Sequence, residues 1–380
     1  MNKKIKPLFS ITTAILMCLS YSLYGQSNQK IIEIPLEKLA KKLKGLDNII
    51  VKTNSGEVLT CQITYQNTLL IKVPEESCSI QKFYIGQGLA TPDTTTCGAY
   101  YPERMDDIAW ENNLMAFRTY GPALQRSGER AYGYDVWTKS VPYPIVKERY
   151  DNHLNKGISY HIDHGNGMDV YAVGPTLGAG TAALYINNQP LFPYCWESYQ
   201  ILDNGPLRFT VQLTYPEFEL DGSTIYEVRT ITLDHGSYLN KTSVEYKGLH
   251  KEMEIATGII VHKSNPDGYT IDTNKRYITV EDSTQSRGNG AIYIGISKQK
   301  PFKSSKFLPI QNGGDNFGHA LLIDTIAPNE KFDYFWGASW SKNGMTKDAW
   351  EKYIQSFHKK NQTNKRYKIK IKPNKATTKE

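Results

Sequence analysis

Cysteine is scarce, with five in 380 residues and no pair at CxxC spacing. That excludes a zinc knuckle and a disulfide-dense scaffold. No glycine-rich phosphate loop, no GxSxG elbow and no HExxH pair occurs, and each absence lowers a reaction class. Beyond the first 23 residues no stretch approaches the roughly 18 apolar residues of a membrane-spanning helix. Positive charge is missing from the body of the chain. The formal total is +7, but three lysines sit in residues 1–25 and the tail 359–380 carries a net +8, leaving −4 for 26–358. There is no basic face of the kind that binds nucleic acid. Internal repeats and low-complexity blocks are absent as well.

What is present points to sheets and to carbohydrate. Apolar residues make up 39% and charged residues 22%, enough for a proper core. Tyrosine stands out at 26, against 12 Phe and 6 Trp. Tyr and Trp suit half-buried sheet faces and stack on sugar rings, having an apolar body and a polar tip. Lys3, Lys4 and Lys6 followed by an apolar run from Leu8 to Leu23 read as a signal peptide over 1–25, cleaved before Gln26. Met17 stands before Cys18 where a lipoprotein box wants a small residue, which argues against lipidation. The expected location is periplasmic or secreted. Four cysteines then remain, and Cys61 with Cys78 could staple the first module, while Cys97 and Cys195 could stay reduced.

Residues 26–90 read as a small immunoglobulin-like β module, with a short helix over Pro35–Leu46 and a polar linker from Thr91 to Cys97. From 98 to 375 a larger all-β domain is expected. Asp107–Tyr120 reads as a hairpin around Asn112-Asn113. Alternating strands follow at Ala182–Ile186, Trp196–Leu202, Leu207–Tyr215, Ser223–Leu233 and Asn240–Tyr246. Others are expected at Ile259–His262, Tyr277–Val280, Ala291–Ile296, Ala320–Ile323 and Phe332–Ala338. Turns such as Asn187-Asn188 and Asp221-Gly222 separate them, the pattern of a sandwich or barrel. Lys347–His358 is the one convincing helix, with Trp350, Tyr353, Ile354 and Phe357 on one face. Tyr367–Ile371 alternates again as a last edge strand.

The densest chemistry lies between Ser159 and Gly180. Tyr160, His161, Asp163, His164, Asp169 and Tyr171 fall within twelve residues, with glycines at 165, 167, 174, 178 and 180. Three readings stay open: a divalent metal on His161, Asp163, His164 and Asp169, a structural polar network, or acid–base chemistry. Arg104, Arg118, Lys139 and Arg149 lie upstream among aromatics and could hold an acidic sugar, or could pair with Asp106, Glu111 or Asp135. Trp110, Trp137 and Tyr171 are candidates for sugar contact. Glu197, beside Trp196, could face the site as a carboxylate. With Glu111 it could make a glycosidase pair.

The runs YPERMDDIAWENNLMAFRTYGPAL, GYDVWTKSVPYPIVKERY and YHIDHGNGMDVYAVGPTLGAG resemble a Bacteroidota family of exported proteins, domain-of-unknown-function family 4861. The resemblance covers nearly the whole mature chain. It implies a large galactose-mutarotase-like β-supersandwich behind the small module, and a setting among other polysaccharide-utilisation enzymes. It also implies removal of water from a non-reducing-end uronic acid of an acidic oligosaccharide, leaving a 4,5-unsaturated sugar, or the related exo-lyase cleavage. Elimination needs a base, an acid and a cation on the carboxylate. By residue type, His161 and His164 are expected as base, Tyr160 as acid, Asp169 as the group orienting a histidine, and Arg118 and Lys139 as carboxylate holders. No cofactor is expected and a divalent metal stays open. The rival readings are a glycoside hydrolase using Glu111 and Glu197, and a glycan-binding protein without turnover.

Overall fold

The structure, a computed structural model, describes residues 29–38, 49–74, 82–88, 94–357 apart from 273, 275, 284 and 285, and 368–371. Its largest element is a nine-stranded antiparallel sheet. Eight strands run in the order Ser198–Asn204, Arg208–Thr214, Ser223–Asp234, Leu239–Lys247, Phe332–Trp340, Ile292–Ser297, Tyr277–Asp282 and Tyr269–Ile271, and Phe218–Leu220 pairs at one side. Ser223–Asp234 shows how the sequence builds it. Ile225, Glu227, Arg229, Ile231 and Leu233 point inward and the residues between them outward, the period of two that buries one sheet face. The inward Glu227 and Arg229 are buried as an ion pair, and the Tyr246 hydroxyl donates to Glu227. The hairpin turns are those the sequence announced. Asn187 and Asn188 have φ of 51° and 63°, and Asp221 and Gly222 have 50° and 77°, the left-handed pairs of a tight two-residue turn.

A second layer packs on the inner face of this sheet. One part is a five-stranded sheet, in the order Gln189–Leu191, Ala179–Ile186, Met253–His262, Asn316–Ile326 and Ser304–Pro309. The other is a four-stranded sheet, Asp135–Thr138, Met115–Thr119, Asp107–Glu111 and Cys97–Tyr101. A bridge from Tyr134 to Gly178 links the two parts. The expected all-β fold with a large sandwich is therefore present. The hairpin around Asn112 is also present, with Ile108 opposite Thr119 and Glu111 opposite Ala116. The Asn112 side chain fixes it, accepting from Leu114 N and Met115 N and donating to the carbonyls of Asp234 and Ser237.

Trp336 joins the layers. Its indole stacks on Tyr134 at 3.8 Å, meets Phe117 and Trp110 edge-on, and donates Nε1–H to Thr242. Gly180 allows this closeness. Its φ is +129°, and a Cβ there would lie 2.8 Å from the Cβ of Trp336.

The small module has two sheets. One comprises Gln29–Pro35, Thr68–Pro74 and Cys61–Ile63, the other Lys368–Ile371, Lys82–Gln87, Ile49–Lys52 and Val58–Leu59. They enclose Ile32, Val51, Leu69, Ile71, Val73, Phe83 and Ile85. The last strand lies at a sheet edge as expected, but it pairs in parallel with Lys82–Gln87 and so belongs to the small module rather than the large domain. Of the expected helix over Pro35–Leu46, Leu36–Lys38 forms a single tight turn and residues 39–46 lie outside the described residues. Cys78 and the signal segment also lie outside them.

Lys347–Phe357 is helical, as its periodicity requires, and packs on the outer face where Gly295 leaves room for Ile354 and Trp350. Two helices were not expected, Pro122–Ser127 and Val146–Lys156. The second buries only Val146, Arg149 and Tyr150, too thin an apolar stripe to read from sequence. Its first amides are held by a distant carboxylate: Glu111 accepts from Ile145 N and Val146 N. Removing the Trp336 indole should cost about 3–5 kcal/mol. Urea denaturation of Trp336→Ala measures this, and a loss no greater than that of an ordinary surface substitution would show that the tryptophan does not join the layers.

Candidate active site

The outer face of the four-stranded sheet sets a buried charged cluster among apolar side chains, Ala109, Ala116 and Trp137 with Tyr150 and Tyr160 over them. Arg118 donates Nε–H to Asp135 at 2.8 Å, and its Nη2 lies 3.1 Å from Asp169. Its Nη1 lies 3.5 Å from Asp107. The guanidinium sits 5.0 Å from the Trp137 ring and 5.1 Å from the Tyr120 ring. Sheet register brings this together, since Asp135 is directly opposite Arg118 and Asp169 bridges to Trp137. Trp137 donates Nε1–H to Asp135, and the Tyr150 hydroxyl donates to Asp107. Three carboxylates thus share one buried guanidinium. Burial pushes the Asp107 carboxyl up to about 6, with Arg118 and Arg104 pulling the other way. Burial and the neighbouring Asp135 push Asp169 upward too.

Several expected substrate contacts are already committed inside the fold. Arg118 was expected to hold a substrate carboxylate, but Asp107, Asp135 and Asp169 already occupy it. Lys139 was expected beside it, but its ammonium lies 2.6 Å from Glu111 and also donates to the carbonyls of Asn112 and Tyr143. Glu111 accepts from Lys139 and from two helix amides, so it is not free to form a glycosidase pair. Trp110 is wholly buried between Phe117 and Phe209, and Trp137 is covered by Tyr160 and Tyr150. Neither indole has a face open to a sugar. Tyr171 is buried beside His262, away from the surface. Glu197 is exposed and lines a separate open cleft of about 410 Å³ with Trp196, Cys195 and Arg126.

The loop from Ser159 to Asp169 lies over the charged face. Asp163 accepts from Gly165 N and Gly167 N and so turns the chain. Gly167 has φ +95°, and a Cβ there would meet the Thr138 carbonyl at 2.2 Å, so only glycine fits. Arg149 donates to the carbonyls of Thr138 and Asn166, clamping the loop from beneath. Burial moves its guanidinium down to about 10. The His164 ring is exposed with Nε2 2.9 Å from the Ser159 carbonyl, and it opens on a cleft of about 230 Å³ with Tyr160, Asn152 and Arg149. The four residues of the metal reading do not converge. Among the described residues no group of three or more His, Cys, Asp or Glu is arranged to hold a metal ion.

His161 and Tyr160 are placed differently. His161 Nδ1 lies 2.9 Å from the Asp169 carbonyl and 3.7 Å from its carboxylate, with 57% of the side chain exposed. Bonding Nδ1–H to that carbonyl leaves the Nε2 lone pair facing outward. The Tyr160 ring stacks on Trp137 at 4.9 Å and touches both His161 and His153 at 4.5 Å. The Arg104 guanidinium sits 5.4 Å from the Tyr160 ring centroid. Arg104 forms no ion pair among the described residues, and its Nε is buried without a hydrogen-bond partner. Of the expected residues, His161, Tyr160, Asp169 and Arg104 are thus brought together. His153 was missed because it lies on the unforeseen helix. Burial, Arg104 and His161 lower its pKa. The next two residues after Arg104, Met105 and Asp106, both take positive φ, 58° and 63°. Backbone of this kind in non-glycine residues concentrates at functional sites.

The raised carboxyls set a pH dependence. In the folded chain Asp107 keeps a proton up to about pH 6, whereas unfolded it loses the proton near pH 4. Its contribution is therefore fully present at low pH and is lost as pH rises through about 6. Urea stability should fall by about 1 kcal/mol more in the wild type than in Asp107→Asn between about pH 5 and pH 7. Equal slopes would refute the assignment.

Among solved structures, an alpha-mannosidase from Enterococcus faecalis superposes with a TM-score of 0.35 at 10% identity, covering 88% of this chain and 44% of its own. A GH36 alpha-galactosidase from Geobacillus stearothermophilus gives 0.31 at 8% identity, covering 64% and 41%. This chain spans less than half the length of either, and likeness at that level carries no argument about chemistry. Uncharacterized protein P7 of Formosa agariphila is 29% identical over 297 residues, or 76% of this chain and 73% of P7. Residues 72–366, which hold all of the large sandwich and the rim of His161, Tyr160 and Arg104, match the family described as Domain of unknown function (DUF4861). The chain belongs to that family.

Proposed function

We propose that the protein is an exported carbohydrate-active enzyme that performs β-elimination on acidic oligosaccharides. It removes water from a terminal uronic acid, or releases the sugar linked at that position. The observation that supports this most is the adjacency of His161, Tyr160 and Arg104. His161 offers an outward Nε2, Arg104 an unpaired guanidinium, and Tyr160 lies between them. In this reading His161 takes the proton on C5, and Arg104 neutralises the carboxylate as charge spreads onto it. Tyr160 gives its proton to the oxygen leaving C4. The C5–H and C4–O bonds break, a C4–C5 double bond forms, and the oxygen departs as water or as the hydroxyl of the released sugar. Burial holds the Tyr160 phenol protonated, while Arg118 and Arg104 ease its loss of the proton. Asp169 positions His161 through its carbonyl and stands behind it as a buried carboxylate. Residue roles thus shift from expectation: Arg104, not Arg118 or Lys139, faces the substrate carboxylate.

The hydrolase reading loses one member of its pair, because Glu111 is buried against Lys139. Release of a saturated sugar would nevertheless restore it. On the proposed reading, uronate-terminated oligosaccharides should develop the absorbance of an unsaturated uronate, with a product lighter by one water or split in two. His161→Ala should lower kcat/KM by about 10²–10⁴. Arg104→Ala should cost about 10² or more. His164→Ala should stay within a few fold. No absorbance across a broad panel, with binding that survives His161→Ala, would sink the proposal in favour of a glycan-binding protein.

A further inference from the structure

The cleft of about 230 Å³ beside the His161 rim is open to solvent groups that the elimination chemistry does not use. The helix Val146–Lys156 forms one wall. Glu148 and Asn152 stand one turn apart and so share a face. Asn152 Oδ1 accepts from Lys156 Nζ at 2.8 Å, which leaves its Nδ2 hydrogens without a partner among the described residues. The Glu148 carboxylate is exposed and has no ion pair or hydrogen bond among them. This wall thus offers a donor beside an acceptor.

A turn of the loop forms the other wall. The Ser159 carbonyl accepts from Ile162 N at 3.4 Å and lies 2.9 Å from His164 Nε2. A carbonyl there puts the proton on Nε2 and leaves Nδ1 as an exposed acceptor. The end of the helix closes the third side. Gly157 takes φ +67°, and the Asn152 carbonyl accepts from Gly157 N and Ile158 N. Ile158 is 40% exposed and Ile162 59%. A single exposed aliphatic means little, but these two line the same polar cleft.

Size and charge limit the occupant. Pockets for drug-sized ligands run roughly 300–1,000 Å³, so this one has room for a single ring. Arg149 lines it, but its Nη2 donates to the carbonyls of Thr138 and Asn166, and its Nη1 is buried. Glu111, Asp169, Asp163 and Glu148 all act on that one guanidinium. An anionic ligand would therefore meet Glu148 without a free cation to offset it. A neutral sugar suits the lining, since its hydroxyls both donate and accept while its C–H face is apolar.

We propose that this cleft holds the neutral sugar joined to the terminal uronic acid, and so selects oligosaccharides whose sugar beside the uronate is uncharged. Asn152 donates to one hydroxyl of that sugar, Glu148 accepts from another, and Ile158 and Ile162 cover its apolar face. Tyr160 marks the boundary, because its ring lines the cleft and touches the His161 ring at 4.5 Å. The proposal rests on the uronic-acid reading of the rim, but its test reads binding instead of turnover. Isoleucine-methyl NMR titrations of the full chain supply it, with the two signals identified by their loss in Ile158→Val and Ile162→Val. The probes are methyl glucuronide and glucuronic acid joined to galactose, to xylose or to a second glucuronic acid.

At least one neutral disaccharide should shift both methyl signals and bind about threefold to tenfold tighter than methyl glucuronide, the worth of about one net hydrogen bond. Diglucuronic acid should show no such gain. Asn152→Ala keeps the carbonyl that caps the helix and should abolish the gain. Glu148→Gln should bind diglucuronic acid at least threefold tighter than the wild type does, which a loss of packing would not produce. A gain that survives Asn152→Ala would overturn the subsite, and so would a preference for diglucuronic acid in the wild type. No gain with either neutral disaccharide would also overturn it. Affinities that follow the expected pattern with no unsaturated product would leave the subsite standing and remove only the elimination reading.

Discussion

Arg118 and its three carboxylates are the interaction on which the outer face of this protein depends. A sheet that must be covered on both sides normally buries apolar residues on each. Here one side of Met115–Thr119 is apolar, with Met115 and Phe117 in the main core, while the other presents Arg118. Asp107 and Asp135 come from the flanking strands and Asp169 from the loop. Trp137, Tyr150 and Tyr160 wall the cluster off from water. Taking one partner from such a buried set is costly, about 3–5 kcal/mol, because it strands the remaining charge. The loop carrying His161 is thereby tied to the sheet through Asp169. The histidine is exposed, yet its anchor is among the most buried groups in the chain.

That anchoring links fold to chemistry. The helix Val146–Lys156 begins where Glu111 holds its first amides, and Lys139 neutralises Glu111. The helix then supplies Arg149 to clamp the loop and His153 to the rim. A reactive histidine gains from fixed orientation, since proton transfer depends on geometry before pKa. Two buried ion-pair systems supply that fixity, and the cations that sequence reasoning assigned to substrate are the ones that supply it.

Much of the fold was legible in the sequence. The alternation in Ser223–Asp234, the Asn and Asp-Gly turns, the Asn112 hairpin and the amphipathic Lys347–Phe357 follow from local rules, and the structure keeps them. The weakly patterned helix Val146–Lys156 was not legible, because a carboxylate 35 positions away accepts from its first amide. The final strand was read as an edge, but nothing in Lys368–Ile371 names Lys82–Gln87 as its partner.

The sequence alone singled out Tyr160, His161, Asp169 and their neighbours between Ser159 and Gly180, because so many polar groups in a glycine-rich frame demand a reason, and it offered Arg104 as one of four upstream cations. It could not rank Arg104 against Arg118, Lys139 and Arg149. All four are cations among aromatics, and what separates them is which carboxylates lie within reach. Only the tertiary structure decides that, by pairing Asp135 across from Arg118 and Glu111 beside Lys139, turning Arg149 into the loop, and leaving Arg104 over Tyr160.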